Sequence, residues 1–126
     1  MKNELDKTAH TGPRIVVLRS VFFGTAIEIS DEHRARELIK EMKRSDRKAS
    51  HIAFAFRISG NPVTEGMSDN GEPRGTAGMP ILMLLRHHDI TGMLVAVTRY
   101  WGGKKLGPGN LKRAYTEAAK KALRLD

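Results

Sequence analysis

The sequence predicts an α+β domain: a two-layer arrangement in which a mixed β-sheet carries its helices on one face. Three observations point there. Runs rich in β-branched and aromatic residues alternate with segments whose apolar residues recur at helical spacing. The resulting order is β-β-α-β-β-α-β-α, which builds one sheet with helical cover. The chain has 126 residues, 40% of them hydrophobic, enough for one core without covalent staples and too few for a second independent domain.

The elements follow in order. Residues 1–13 are polar, contain Gly12 and Pro13, and are expected to form a flexible leader to a single domain over 14–126. Residues 14–19 and 21–29 read as two strands, the second bulged or kinked near Gly24. Ser30 supplies an oxygen cap, followed by Asp31 and Glu32 where the helix dipole is positive, and the helix reaches about Arg44. Its stripe of Ala35, Leu38, Ile39 and Met42 faces inward and leaves the charged remainder in solvent.

Residues 51–58 alternate large and small side chains as a strand does. Gly60-Asn61-Pro62 breaks the run before 63–67, giving a hairpin. A glycine-rich loop, SDNGEPRGTAG (68–78), leads into a helix over 77–88 that is apolar on nearly every face, with Pro80 tolerated in its first turn. Residues 92–98 form an internal strand, and a second glycine-rich loop runs from Tyr100 to Gly109. Asn110 caps the last helix, whose residues Leu111, Ala114, Tyr115, Ala118, Ala119 and Ala122 form a small apolar face.

Composition narrows the function. With 22 Lys+Arg against 14 Asp+Glu the formal net charge is +8, and residues 99–126 hold eight of the cations against only Glu117 and Asp126. A surface of that sign attracts an anionic partner, RNA or the ribosome first and an acidic protein second. The absence of cysteine excludes disulfides, thiolate metal sites and a cysteine nucleophile. No stretch approaches the ~20 apolar residues that span a bilayer, so no membrane association and a cytoplasmic location are expected. Oligomeric state is left open.

Both glycine loops enter helices and carry cations, Arg74 in the first, Lys104 and Lys105 in the second, with Arg99 just before it. Amides at a helix start beside such cations suit an anion, which makes Arg74, Gly75, Thr76 and Gly78 one candidate group and Arg99, Lys104, Lys105, Lys112 and Arg113 another. Neither loop matches GxxxxGK[ST] or GxGxxG, and no cofactor is expected. Tyr100 and Trp101 offer a platform for base stacking. His51, Ser68, Asp69 and Glu72 form a candidate polar cluster, but Ser68 lacks the GxSxG elbow and the acids lack the spacing of a calcium loop. His87 and His88 have no second ligand pair, so no metal is expected. The alternatives beside RNA binding are a protein-interaction regulator and an enzyme with an anion site over 75–78.

Taken together, SDNGEPRGTAGMPIL (68–82) and GMLVAVTRYWGGKKLGPGNLKRAY (92–115) resemble the paired signatures of the IMPACT family and its YigZ-like bacterial branch. ASHIAFAFRI (49–58) is similar to that family's ATH-x-x-x-AYRI strand, and Arg19-Ser20-Val21-Phe22 to its K-S-R-F start, with Val21 where the family carries a cation. Pro108 stands where relatives often have Thr. The resemblance implies a fold like the second domain of the fifth small-subunit ribosomal protein, a link to translational regulation and stress response, and no established enzymatic activity. It covers about residues 15–124; the accessory domains of longer family members have no counterpart in the sequence, which is expected to be the N-terminal module alone.

Overall fold

A computed structural model describes residues 8–125. Nine elements follow in the order β1 (His10–Thr11), β2 (Ile15–Val17), β3 (Ser20–Glu28), α1 (Glu32–Ser45), β4 (His51–Ile58), β5 (Thr64–Ser68), α2 (Gly78–His87), β6 (Met93–Tyr100) and α3 (Pro108–Ala122). Of the stretch expected as a leader, residues 1–7 lie outside the described residues. The rest is tied down: Thr8 Oγ1 accepts from the Glu28 amide at 3.0 Å, and β1 pairs His10 with Ala26 and Thr11 with Thr25.

The sheet order is β1-β3-β6-β4-β5, with β2 on the same edge of β3 as β1. The α+β class holds, but every ladder among the described residues is antiparallel, so the expected mixed sheet is corrected. The reason lies in the connections. The strand pairs β2·β3 and β4·β5 are hairpins, and β6 enters between β3 and β4 antiparallel to both.

The expectation of helices on one face is corrected as well. Ala53 and Ala55 of β4 and Val95 and Val97 of β6 pack against α2 and α3. Their alternate neighbours Ile52, Phe54, Phe56, Leu94 and Ala96 face the other way, against Ala35, Leu38, Ile39 and Met42 of α1. Successive strand side chains point to opposite faces. A strand apolar at both parities therefore needs cover on both, and α1 supplies the second.

Local details follow the same physics. Asp31, not Ser30, caps α1, its Oδ1 accepting from the Arg34 amide at 2.7 Å. Asn110 lies inside α3 rather than capping it; Gly107 is the cap residue and Pro108 opens the helix. Asn110 instead donates to the Leu106 carbonyl and accepts from Arg113. The first hairpin turns at Leu18 and Arg19, both at positive φ, so β2 stops at Val17, short of the predicted Arg19. No bulge occurs at Gly24, where the ladder to β6 runs unbroken from Phe23 to Thr25. A Cβ there would sit 2.6 Å from the Ala118 carbonyl oxygen, and its lack lets α3 lie directly on β3. Helix α2 is less enclosed than its composition suggests, since Met83 is 50% exposed. Among the described residues no helix is long and apolar enough to cross a membrane.

Leu38 is fully buried against the face of the sheet that α1 covers. Leu38→Ala is expected to cost about 2–5 kcal/mol in urea unfolding, as core truncations do. A cost within about 0.5 kcal/mol, normal for surface positions, would show that α1 does not close the second face.

Candidate functional site

The first glycine loop closes on one of its own residues. Asp69 follows β5 and aims its carboxylate back at the start of α2. Oδ2 accepts from the Gly75 amide at 2.9 Å, and Oδ1 accepts from the amides of Ala77 at 3.1 Å and Gly78 at 2.8 Å. The amides expected to hold a phosphate thus already hold an anion, one that belongs to the chain. The cradle at Arg74, Gly75, Thr76 and Gly78 is corrected to an internal clamp, and Thr76 and Gly78 are buried within it. Burial alone raises the Asp69 pKa, but the amides of Gly75, Gly78 and Ala77, with Arg74 nearby, outweigh it and hold the carboxyl below its ordinary value. Ser68 shapes the turn before it, its hydroxyl accepting from the Asn70 amide at 3.0 Å.

Beneath the loop lies a buried charge pair. Glu72 descends into the core, where both carboxylate oxygens accept from Arg99 Nη1 at 2.9 Å. The two side chains are 2% and 3% exposed. Tyr115 of α3 donates its hydroxyl to Glu72 Oε2. Nε and Nη2 of Arg99 donate to Ser20 Oγ at 3.3 and 3.1 Å, and the guanidinium carbon lies 5.5 Å from the Phe22 ring centroid. Every buried side-chain nitrogen or oxygen among the described residues has a hydrogen-bond partner. Burial first, then the Glu72 bond, pushes the Tyr115 phenol far above its ordinary range, so it remains a proton donor.

Arg99 is therefore corrected from a ligand-facing cation to the counter-charge of Glu72. The pairing is illegible in sequence because α2 and most of β6 separate the partners. Ser20 was missed as well, although a lone hydroxyl between a hairpin turn and an apolar strand is a signal of a buried polar contact. Tyr115 offered a similar one, a hydroxyl-bearing residue on an alanine-rich helix face.

His51 joins the cluster from β4. Its Nδ1 donates to the Asn70 carbonyl at 2.9 Å, since a carbonyl only accepts, and its Nε2 faces Glu72 Oε1 at 3.7 Å. The cluster His51, Ser68, Asp69 and Glu72 is thus brought together, as a support for the loop: Ser68 and Asp69 bond backbone amides, and Glu72 lies beneath them. Among the described residues, no group of three or more His, Asp or Glu has the arrangement of a metal site.

The second loop is built on the same pair. Glu72 of the first loop is gripped by Arg99 and Tyr115, the residues that flank the second, so the two loops share one floor. Gly102 is pressed against the hairpin turn, where an added Cβ would meet the Arg19 carbonyl carbon at 2.2 Å. Trp101 is 50% exposed, yet fixed on two sides. Its amide donates to Ser50 Oγ at 2.8 Å, and Arg99 lies 5.2 Å from its ring centroid. Tyr100, one residue earlier, turns to the other sheet face, donates to the Asp46 carboxylate, and stands near Phe23 and Arg14. Burial and Asp46 together raise its pKa. Arg74, Lys104, Lys105, Lys112 and Arg113 are exposed, and among the described residues none of the three lysines has an acidic partner within 4.0 Å.

Comparison with known proteins places the chain in a family and matches its fold to solved structures. The family model for the Impact N-terminal domain matches residues 18–123. The chain is 38% identical over 109 residues to the IMPACT family member YvyE of Bacillus subtilis (strain 168), covering 86% of this chain and 50% of that protein. It thus spans about half the length of the curated relatives it matches. The crystal structure of a hypothetical protein superposes with a TM-score of 0.87 at 28% identity, over 94% of this chain and 58% of the other. The two-domain translational regulator Yih1 shares the fold, with a TM-score of 0.64 at 24% identity over 94% of this chain and 47% of its own.

Two substitutions test the loop floor. Glu72→Gln leaves a buried guanidinium without its counter-charge and is expected to cost about 3–5 kcal/mol in chemical unfolding. Asp69→Asn turns an amide NH2 toward backbone donors and is expected to cost about 2–4 kcal/mol near neutral pH. Because the folded-state pKa of Asp69 lies below its unfolded one, the carboxylate contributes fully above the ordinary Asp value of about 3.9, and that contribution is lost as pH falls through the lower folded value. The stability gap between wild type and Asp69→Asn, followed by urea midpoints from about pH 7 to about pH 2, should therefore narrow only in the acid limb. A pH-independent gap would contradict the clamp.

Proposed function

Given that this chain belongs to the Impact N-terminal domain family, we propose that it is a cytoplasmic binding module of translational regulation that engages RNA or the ribosome through the surface of its second glycine loop. Trp101 carries the reading. A half-exposed tryptophan held by its backbone and by a buried arginine presents a rigid π-face to a base. Lys104 and Lys105 follow within the same loop, and Lys112 and Arg113 stand on the helix it enters, so phosphates meet cations on leaving the stacked base. Arg74 adds a further exposed charge on the first loop. The description of Yih1 as a translational regulator supports the biological setting.

A second reading, a protein partner, has its own observation. Met79, Pro80, Met83 and Leu84 line a groove of about 530 Å³ that reaches Lys112 of α3. Methionine side chains adapt to varied apolar surfaces, and Lys112 at the rim favours an acidic segment.

The readings separate by experiment. Fluorescence anisotropy with a labelled single-stranded RNA of about 12 nucleotides should show binding that weakens steeply with salt. Trp101→Ala should lower affinity by roughly 5–150-fold, the equivalent of about 1–3 kcal/mol for one stacked base. Lys104→Ala with Lys105→Ala should flatten the salt dependence by about 0.7 per lost phosphate contact. Absence of binding at low salt, or binding indifferent to salt, would leave the protein partner as the better account.

A further inference from the structure

The α1 stripe assigns the charged residues of that helix to solvent, and beyond Lys43 and Arg44 the chain carries two more cations, Arg47 and Lys48. The structure places this run elsewhere than its position in the chain suggests. Ser50 straps it to the end of β6: the Ser50 amide donates to the Arg99 carbonyl at 2.8 Å, and Ser50 Oγ accepts from the Trp101 amide at 2.8 Å. The next residue, His51, pairs with Arg99 in the sheet. The basic turn and the tryptophan are thus joined through a single serine.

Beside this strap lies a cleft of about 310 Å³. Lys43, Arg47, Ser50, His51 and Asn70 line it, together with Asp46. Asp46 brings one negative charge against the two cations of the lining, and its carboxylate is held toward Tyr100 by accepting from the Tyr100 hydroxyl. Lys43 and Arg47 are exposed, and among the described residues neither has an acidic partner within 4.0 Å. Lys43 lies in the last turn of α1 and Arg47 just past its C-cap, Asp46.

We propose that this cleft is a second phosphate-binding bank of the RNA site, opposite the Lys104 and Lys105 loop. A single strand whose base stacks on Trp101 lays one flank along Lys104 and Lys105 and the other along Lys43 and Arg47. The inference rests on the RNA reading above and extends it to a segment outside both glycine loops. It commits to the phosphodiester backbone of a single strand, because the cleft sets the exposed cations Lys43 and Arg47 beside the Ser50 hydroxyl.

The test compares three double variants with wild type by anisotropy on the same single-stranded RNA, with circular dichroism to confirm equal folding. Lys43→Ala with Arg47→Ala should make the slope of log affinity against log salt shallower by about 1.4, from two contacts at about 0.7 each, and weaken binding at 0.1 M salt by about 25-fold. Lys120→Ala with Lys121→Ala removes the same formal charge from the far part of α3 and should change affinity by less than about threefold. Equal losses from both would mean general charge attraction and would overturn the second bank. Wild-type affinity for Lys43→Ala with Arg47→Ala, alongside weakened binding for Lys104→Ala with Lys105→Ala, would also overturn it while leaving the RNA reading intact. Failure of the wild-type protein to bind at low salt would remove the RNA reading and this inference with it. Trp101 is the only tryptophan in the chain, so quenching of its emission reports base stacking separately from the phosphate contacts.

Discussion

Both glycine loops of this domain rest on one buried charge pair. Glu72 and Arg99 are withdrawn from water at a site where the first loop, the end of β6, the first hairpin and α3 meet. An unpaired charge in such a place costs several kcal/mol, so each partner requires the other. Tyr115 and Ser20 occupy much of the remaining hydrogen-bonding capacity. The result is a floor with few free rotations, and the glycine loops above it inherit its position. Long loops rich in glycine lose more conformational entropy on ordering than other segments. Here two such loops are anchored by the same four side chains.

The division of labour between charges is the clearest departure from a reading based on sign alone. Arg99, Lys104 and Lys105 look equivalent in sequence, within one short basic stretch. In the structure Arg99 is structural and the lysines are exposed. The difference suits the side chains. A planar guanidinium satisfies a carboxylate, a hydroxyl and two aromatic faces at once, whereas a lysine could offer only a compact ammonium. Asp69 shows the same reversal for anions: the loop amides that look vacant on paper are met by a carboxylate from six to nine residues earlier.

Much of the fold was legible. The alternation in HIAFAFRI and the stripe in α1 locate both elements correctly, and the small face of α3 fits its close approach to the sheet, which the structure shows to be at β3. The side of the sheet that α1 covers was not read, although a signal existed. HIAFAFRI places Ile52, Phe54 and Phe56 at one parity and Ala53 and Ala55 at the other, and MLVAV is apolar at both, which is the pattern of strands covered on two faces. A helix stripe reveals that a helix is buried but not against which surface. The site was legible as a list of residue types and illegible as a set of pairs. Spacing along the chain says nothing of a bond between residues 72 and 99, and the tie from Ser50 to Arg99 and Trp101 rests on two hydrogen bonds that exist only once β4 and β6 are side by side.

The edge of the sheet at β3 has a consequence of its own. It is covered in two pieces, β1 of two residues and β2 of three, interrupted by Gly12, Pro13 and Arg14. A proline offers no amide, and neither piece presents a run of outward backbone groups long enough to guide another strand into register. Val16 can therefore stand 67% exposed without inviting growth of the sheet. A basic protein that gathers near a polyanion reaches high local concentration, where an open edge would nucleate β-aggregates. At this border a second copy of the chain finds no continuous backbone edge to pair with, whatever brings the two together.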